Sequence, residues 1–380
     1  MRLSKTVFAI ASALAAGACA AADVTVYGIV DTYVAVYNNG DKTSVFEGSG
    51  GKAGSRYGFK GTEDLGGGTS VFFQLENGFL SDSGTNTGGS ATNWAFQRLT
   101  LIGLKNDRYG TLSAGRQYSL NFTQIAQFDP FGVTLGSVIG NYMAPVSFAY
   151  KPGIAGMAGA DNFIRRDNSI QYSTPSLSGL TVTLQASFGE QTAGDGRQSN
   201  TLGNSYAVQG VYRNGPFAAG LTVSMQNMSV LYSQYAKRTN NVTANAGASY
   251  DFGITKLYAN LIYKHGDGNR TFKDDATPYN PNLYIYALQS KTPLWGGSLN
   301  FGAAYLKNDS ASESDSWNVQ ARYDYPLSRR TTVYCGAGYL ANEDRVRYDI
   351  GPGGGGTASP STAAGGDNVW MGYVGLNVTF

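Results

Sequence analysis

Short runs in which apolar and polar residues alternate recur along almost the whole chain, and no other feature constrains its fold so tightly. A period of two belongs to a β-strand with one apolar and one polar face. The clearest run sets Leu180, Val182, Leu184, Ala186 and Phe188 against Thr181, Thr183, Gln185 and Ser187. The last sets Val374, Leu376, Val378 and the terminal Phe380 against Gly375, Asn377 and Thr379. Sixteen such segments can be marked, the first at 24–36 and the last at 368–380. Short turns (Glu63–Gly68, Asn106–Gly110, Pro175–Gly179, Asp251–Ile254, Pro326–Arg330) alternate with longer polar stretches such as 190–203, 265–281 and 342–367. An antiparallel barrel inserted into a membrane from one side needs that pattern, with tight turns at one rim and larger loops at the other. Sixteen strands enclose an aqueous lumen. A propeller would repeat every 40 to 50 residues or so, and no such repeat is present. A soluble sandwich would hide its apolar side chains in one core, whereas here the polar face is as continuous as the apolar one.

The N-terminus reads as a secretory signal. Arg2 and Lys5 are followed by the apolar stretch Val7–Ala16 and then by small residues, which places cleavage after residue 20 or after residue 22. The remainder, from residue 21 to 380, is expected to be a single barrel domain. Cys19 also allows a lipoprotein signal, but Ala16 stands where such signals prefer a larger aliphatic residue. Beyond the signal no run of 18 apolar residues exists, so no transmembrane helix is expected. Loss of the signal removes two of the 28 basic residues and none of the 26 acidic ones, leaving zero net charge. Nucleic acid is therefore not an expected partner. Only Cys335 of the two cysteines remains, so no intrachain disulfide can form, and it reads as a small strand residue.

Strand parity sorts the charges. Arg56 and Lys60 alternate with Tyr57 and Phe59, so they point into the lumen. Arg98 precedes Leu99 and Leu101 in the opposite phase, and Arg165 shares the phase of Ser169, Gln171 and Ser173. A base on the lipid face near the midplane would cost about 2–4 kcal/mol, which independently assigns these residues inward. The same test makes Asp31, Glu76 and Asp167 lumenal acids, and leaves the direction of Arg116 open. Tyr33, Tyr37, Phe79, Tyr250, Phe252, Tyr323, Tyr325 and Phe380 sit near strand ends, where aromatic girdles form. The segment Tyr118–Asn162, with Asp129-Pro130-Phe131-Gly132, lacks alternation and is long enough to suggest a functional loop.

The chain resembles the general trimeric porins of Gram-negative bacteria, in particular the beta-proteobacterial type. The resemblance is carried by Val24-Thr25-Val26-Tyr27-Gly28-Ile29-Val30-Asp31, by Ser55–Gly68 (SRYGFKGTEDLGGG), by Gly110–Gln117 (GTLSAGRQ), by Arg165–Tyr172 (RRDNSIQY) and by Tyr325–Thr331 (YPLSRRT). The chain departs from many members at its end, where Val378-Thr379 replaces a basic residue near the terminal Phe. The resemblance implies a sixteen-stranded antiparallel transmembrane β-barrel in the outer membrane, assembled as a homotrimer. Its third loop would fold into the lumen, and Tyr118–Asn162 falls where that loop belongs. It further implies passive diffusion of ions and small hydrophilic solutes, with no cofactor. Arginines such as Arg56, Arg98 and Arg165 would line the constriction opposite the loop, where Asp129 is the acid nearest the pore. Several bases against few loop acids point to a preference for anions. Phe380 would anchor the last strand at the periplasmic membrane interface and serve as the address read by the barrel assembly machinery.

Other functions find little support. A barrel hydrolase needs a nucleophile and a base, yet His265 is the sole histidine and nothing singles out a serine beside it. Asp267 and Asp274-Asp275 lack the spacing of a calcium-binding hand, so no metal is expected. A substrate-specific outer-membrane channel is the closer rival, because Tyr-rich strands could form a binding track. The lumenal charges could also pair among themselves and merely brace the wall.

Overall fold

The computed structural model describes residues 23–380 apart from 88–94, 147–162, 190–202, 233–234, 267–269, 273–274, 280–281, 310–312, 345, 347 and 352–364. The expected signal segment and the acids Asp267 and Asp274 lie outside the described residues. The strands are β1 (Asp23–Asn38), β2 (Thr43–Ser49), β3 (Arg56–Gly66), β4 (Thr69–Gly78), β5 (Leu99–Asn106), β6 (Gly110–Tyr118), β7 (Arg165–Ser173), β8 (Leu180–Ser187), β9 (Ser205–Asn214) and β10 (Phe217–Tyr232). They continue as β11 (Tyr235–Asp251), β12 (Lys256–Gly266), β13 (Arg270–Phe272), β14 (Asp275–Tyr279), β15 (Leu283–Leu294), β16 (Gly297–Asn308), β17 (Ser316–Pro326), β18 (Thr331–Asn342) and β19 (Val369–Thr379). Strands β13 and β14 form a separate hairpin in an outer loop. Strands β2 and β3 share one place in the wall, β2 pairing with the outer half of β1 and β3 with its periplasmic half. The wall therefore has sixteen strand positions, all antiparallel.

The wall closes where β19 pairs with β1, from Ile29↔Thr379 to Asn38↔Trp370. Closure is compulsory in hydrocarbon, where an open edge would leave a row of unpaired backbone groups. The final residue completes the seam: Phe380 N–H donates to Gly28 O at 3.0 Å, and Gly28 N–H donates to Phe380 O at 3.1 Å. Its ring covers Gly28, where any Cβ would lie 2.3 Å from Phe380 Cζ. Phe380 itself stays more than half exposed on the outer surface.

Burial is inverted relative to a soluble protein, as the alternation requires. Val26, Val34, Ile102, Leu184, Leu221 and Leu288 are exposed, whereas Ser169, Thr222, Asn245, Asn300, Asn318 and Gln320 are buried on the inner face. Two exceptions refine this picture. Tyr33 and Tyr37, expected in a girdle, are fully buried inside with Asp31 and Ala35, because they share the inward phase of β1. Ile262, Leu283, Ile285, Leu306 and Leu340 also face inward, forming an apolar patch on the polar side.

That patch receives the segment after β6. Helices α1 (Leu120–Gln127) and α2 (Gly140–Val146) lie in this segment. Ser119 caps α1, its Oγ accepting from Phe122 N–H at 3.0 Å, which satisfies one of the free amides at a helix start. Val133, Leu135, Val138, Ile139 and Tyr142 pack with the inward apolar patch. Polar-face side chains hold the rest. Asn121 Nδ2 donates to Ser224 Oγ at 2.7 Å, Asn260 Nδ2 to Phe128 O at 2.9 Å and Asn318 Nδ2 to Val138 O at 3.0 Å. Several strand limits differ from the alternation-based reading. The ladder of β10 and β11 continues to Tyr232↔Tyr235, beyond the limits 227 and 241 set by alternation, and β2 lacks enough alternation to be seen in the sequence.

Candidate functional site

Three guanidinium groups converge on the inner wall. Arg98 Nε donates to Glu76 Oε1 at 2.7 Å, and Arg56 Nη1 lies 3.8 Å from the same oxygen. Arg98 Nη2 donates to Tyr118 Oη at 3.2 Å, and the Arg165 guanidinium lies 5.1 Å from the centre of the Tyr118 ring. Phe122 of α1 stacks on Tyr118 with ring centres 5.0 Å apart. The phenol thus spaces two like charges, a hydrogen-bond acceptor for one and a cation–π partner for the other. Glu76 also accepts from Tyr27 Oη at 3.0 Å, and Tyr27 Oη in turn accepts from Gln74 Nε2 at 2.7 Å. Lys60 is exposed on the same inner wall, its Nζ 5.4 Å from the centre of the Tyr27 ring.

Arg56, Glu76, Arg98, Arg165 and Lys60 are thus linked along one stretch of wall through Glu76, Tyr118 and Tyr27. The reason for Arg98 differs from the expected one. Leu99 is buried inside opposite Glu76, while Thr100, Ile102 and Leu104 face outward. The phase read from the sequence of β5 is inverted, because apolar Leu99 and Leu101 suggest a lipid face. Arg98 reaches the lumen from the residue before the strand, with its N–H bonded to Glu76 O at 3.0 Å.

Three expected pore acids have other roles. Asp31 is fully buried, and its carboxylate accepts from Tyr334 Oη (2.7 Å), Asn377 Nδ2 (2.8 Å), Ala53 N–H (3.1 Å) and Lys52 N–H (3.2 Å). It braces the closing seam. Asp129 is buried within its own loop, accepting from Ser137 Oγ (2.6 Å), Val133 N–H (2.7 Å) and Phe131 N–H (3.0 Å). Burial nevertheless pushes its pKa up from the usual carboxylate value, with these three donors opposing the shift. It shapes the loop instead of facing the pore. Asp167 leaves the lumenal phase at an irregularity around Asn168 (φ +48°) and pairs with Arg116, its side chain 55% exposed.

A second inner cluster escaped the sequence reading. Arg322 Nε donates to Asp324 Oδ1 at 2.9 Å, Lys52 Nζ to Asp324 Oδ2 at 2.9 Å, and Arg322 Nη1 to Leu135 O at 2.8 Å. It ties the loop to β17. Asn318, Gln320, Arg322 and Asp324 share one phase, so the parity test would have found it. Arg166, whose Nη1 donates to Gln226 Oε1 at 3.0 Å, was hidden by the β7 irregularity. Among the described residues, no group of acidic, His or Cys side chains could hold a metal.

A closed sixteen-stranded barrel, apolar outside and polar within, with a basic cluster on its inner wall, defines a channel of the bacterial outer membrane. A family model described as Gram-negative porin matches residues 6–345. The chain belongs to that family. It is 31% identical over 348 residues to outer membrane porin protein 32 of Delftia acidovorans, covering 90% of this chain and 91% of the relative. It is 30% identical over 404 residues to an outer membrane porin protein of Bordetella pertussis, covering 90% of this chain and 97% of the relative. Its fold matches the anion-selective porin from Comamonas acidovorans with a TM-score of 0.77 at 27% identity, over 95% of this chain and 100% of that one. The protein is thus an outer-membrane porin, a passive channel.

Proposed function

We propose that the porin passes small hydrophilic solutes and prefers anions, with Arg56, Arg98 and Arg165 as the selecting groups and residues 119–143 narrowing the lumen opposite them. The observation that carries this reading is the convergence of bases on the inner wall: Arg56 and Arg98 share one carboxylate, Glu76, and Arg165 stands on the Tyr118 ring that Arg98 also bonds. A surplus positive field in a confined aqueous passage attracts anions and repels cations. At physiological salt such a field decays over about 8 Å, a reach comparable with the width of a narrowed lumen. The inner acids Asp31 and Asp324 are buried and covered by donors, while exposed inward-phase charges of both signs, Lys60, Arg213 and Lys291 with Asp64 and Asp251, occupy the rest of the inner face.

The porin assembles as a homotrimer in outer-membrane lipid, with Phe380 at the periplasmic interface as the end read by the assembly machinery. Family membership supports this part. Planar-bilayer recording tests the whole reading. Conductance should rise in large ohmic steps grouped in threes, and the reversal potential in a salt gradient should take the anion-selective sign. Arg98→Ser should move that potential toward zero; an unchanged potential removes the cluster from the selecting role. Conductance that saturates with one solute class would identify a substrate-specific channel instead.

A further inference from the structure

A second set of bases lines the inner wall on β12 and β15, close to their periplasmic ends. Lys256 opens β12 after a short turn, and Lys291 stands near the end of β15. Both lie in the inward phase, Lys256 with buried Tyr258 and Asn260, and Lys291 with buried Ala287 and Gln289. The ladder places the two lysines directly opposite each other. Residues paired in this way have Cβ atoms about 5 Å apart, and like charges there repel. Among the described residues, neither lysine forms an ion pair. Asp251, which faces Lys256 from β11, turns its Oδ1 to Gly253 N–H at 2.8 Å instead.

Neighbouring groups hold this row in place. Lys256 Nζ rests 5.3 Å from the centre of the Tyr258 ring. On the other side, Lys291 is opposite Asn300, and Asn300 is opposite Arg322. Asn300 Nδ2 donates to Asp324 Oδ2 at 3.1 Å, the oxygen that also accepts from Lys52 Nζ at 2.9 Å. Lys52 therefore reaches the same row, and the charge of Lys291 acts on it. Asp324 is already shared by Arg322 and Lys52, so it leaves the lysine pair uncompensated. The next inward residue of β15, Gln289, is 4% exposed with neither amide atom hydrogen-bonded, and it lies beside Val138 of the inserted loop. An unspent donor thus backs the lysines where the loop meets the wall. We infer that Lys256 and Lys291 form an anion-binding station at the periplasmic mouth, separate from the arginine cluster, and that it takes small divalent oxyanions, inorganic phosphate being the simplest. One dianion between the two ammonium groups cancels their repulsion, and its several oxygens accept from both at once. A halide brings a single charge and no such bridge. The station is open to the lumen and so holds its ion loosely, which conduction requires, since each site in series must release what it takes. It stands whichever groups select at the constriction.

The test follows inorganic phosphate by phosphorus NMR relaxation with the full-length porin in micelles, in a chloride buffer of fixed ionic strength. The parent should broaden the phosphate resonance. Sulfate should compete at equal concentration, and chloride only at concentrations severalfold higher. Lys256→Gln and Lys291→Gln should each weaken binding about tenfold, the lower end for losing a hydrogen bond to a charged group. The double variant should lose little more, because either change alone breaks the bridge. Lys→Arg at both positions keeps the charge and should keep the binding. The part of the broadening that the glutamine variants remove should persist in Arg98→Ser. Unchanged broadening in the double glutamine variant overturns the station, as does chloride that competes as well as sulfate. Loss of all broadening in Arg98→Ser assigns the phosphate to the arginine cluster and overturns it too. As a second readout, phosphate should raise the temperature at which the folded band is lost more in the parent than in the double glutamine variant, since a ligand of the folded state stabilises it. An equal rise in both overturns the inference.

Discussion

Arg98 holds Glu76 by a 2.7 Å hydrogen bond from a backbone position just outside the barrel ladder. The bond neutralises one of three converging cations, so Glu76 sets how much positive charge the cluster shows to the lumen. Glu76→Gln keeps the shape and deletes the negative charge. Anion preference should rise, the reversal potential moving severalfold further in permeability ratio. A shift toward cations would place the working field elsewhere in the lumen.

Tyr118 spaces Arg98 from Arg165. Tyr118→Phe removes the acceptor of Arg98 Nη2 but keeps the ring beneath Arg165. It should cost about 1.5–3 kcal/mol locally, the range for a hydrogen bond to a charged group, and raise open-channel noise while changing selectivity little. Tyr118→Ala removes both contacts and should also alter selectivity. Single-channel noise spectra with paired reversal potentials separate the two.

Asp129 is expected to act on loop shape and not on the field. Asp129→Ala leaves Ser137 Oγ and two backbone amides without their acceptor, and hydrogen bonds to a charged group are worth about 1.5–3 kcal/mol each. The variant should show faster proteolysis of residues 119–143 with an ion preference close to the parent. A large selectivity change without loop loosening would restore Asp129 to the pore.

Gly28 has no room for a side chain beneath Phe380. Gly28→Val should displace the terminal ring, weaken the β1–β19 seam and lower the temperature at which the barrel loses its heat-modifiable folded band. Gly372, also outward on β19, has nothing within 4 Å of an added Cβ, so Gly372→Ala serves as the tolerant control.

Asp349 gives a pH dependence. It lies in the loop after β18, where Tyr348 packs edge-on against Tyr142 of α2 with ring centres 5.2 Å apart. Its Oδ1 accepts from Tyr37 Oη at 2.7 Å, and burial pushes its pKa up to about 6. In the undocked loop Asp349 would titrate near the ordinary carboxylate value, so docking is strongest at low pH, weakens as pH rises from about 4 to 6, and changes little further above that. The full change is about 3 kcal/mol at roughly 1.4 kcal/mol per pKa unit. Hydrogen exchange of residues 342–351 should speed up across that window, and Asp349→Asn should abolish the dependence.

The inner cluster was legible where strands are regular. Arg56, Lys60 and Glu76 follow from period-two phase alone, because a strand has two faces and a charge is costly on one of them. Arg98 came out inward although the phase of β5 was inverted. Leu99 and Leu101 are apolar yet inward, so hydrophobicity misreported the face. Asp167 was missorted because the irregularity at Asn168 turns it out of the lumenal phase, while Arg165 before it and Ser169 after it both stay buried inside. Asp31 and Asp129 were correctly placed on the inner wall and the loop, but the partners that cover Asp31 include Tyr334 and Asn377, more than 300 positions away.

Alternation along the chain determined the barrel, its strand number, its lipid face and the closing role of the terminal strand, since these depend on which neighbours in sequence share a phase. Only the tertiary structure decided which inner charges stay open to the lumen. That choice depends on distant donors that cover Asp31, on the loop that folds Asp129 into itself, and on Tyr118, whose hydroxyl meets Arg98 and whose ring meets Arg165. Local periodicity gives a side chain its direction, and what it meets there is set by closure of the wall and the packing of the loop.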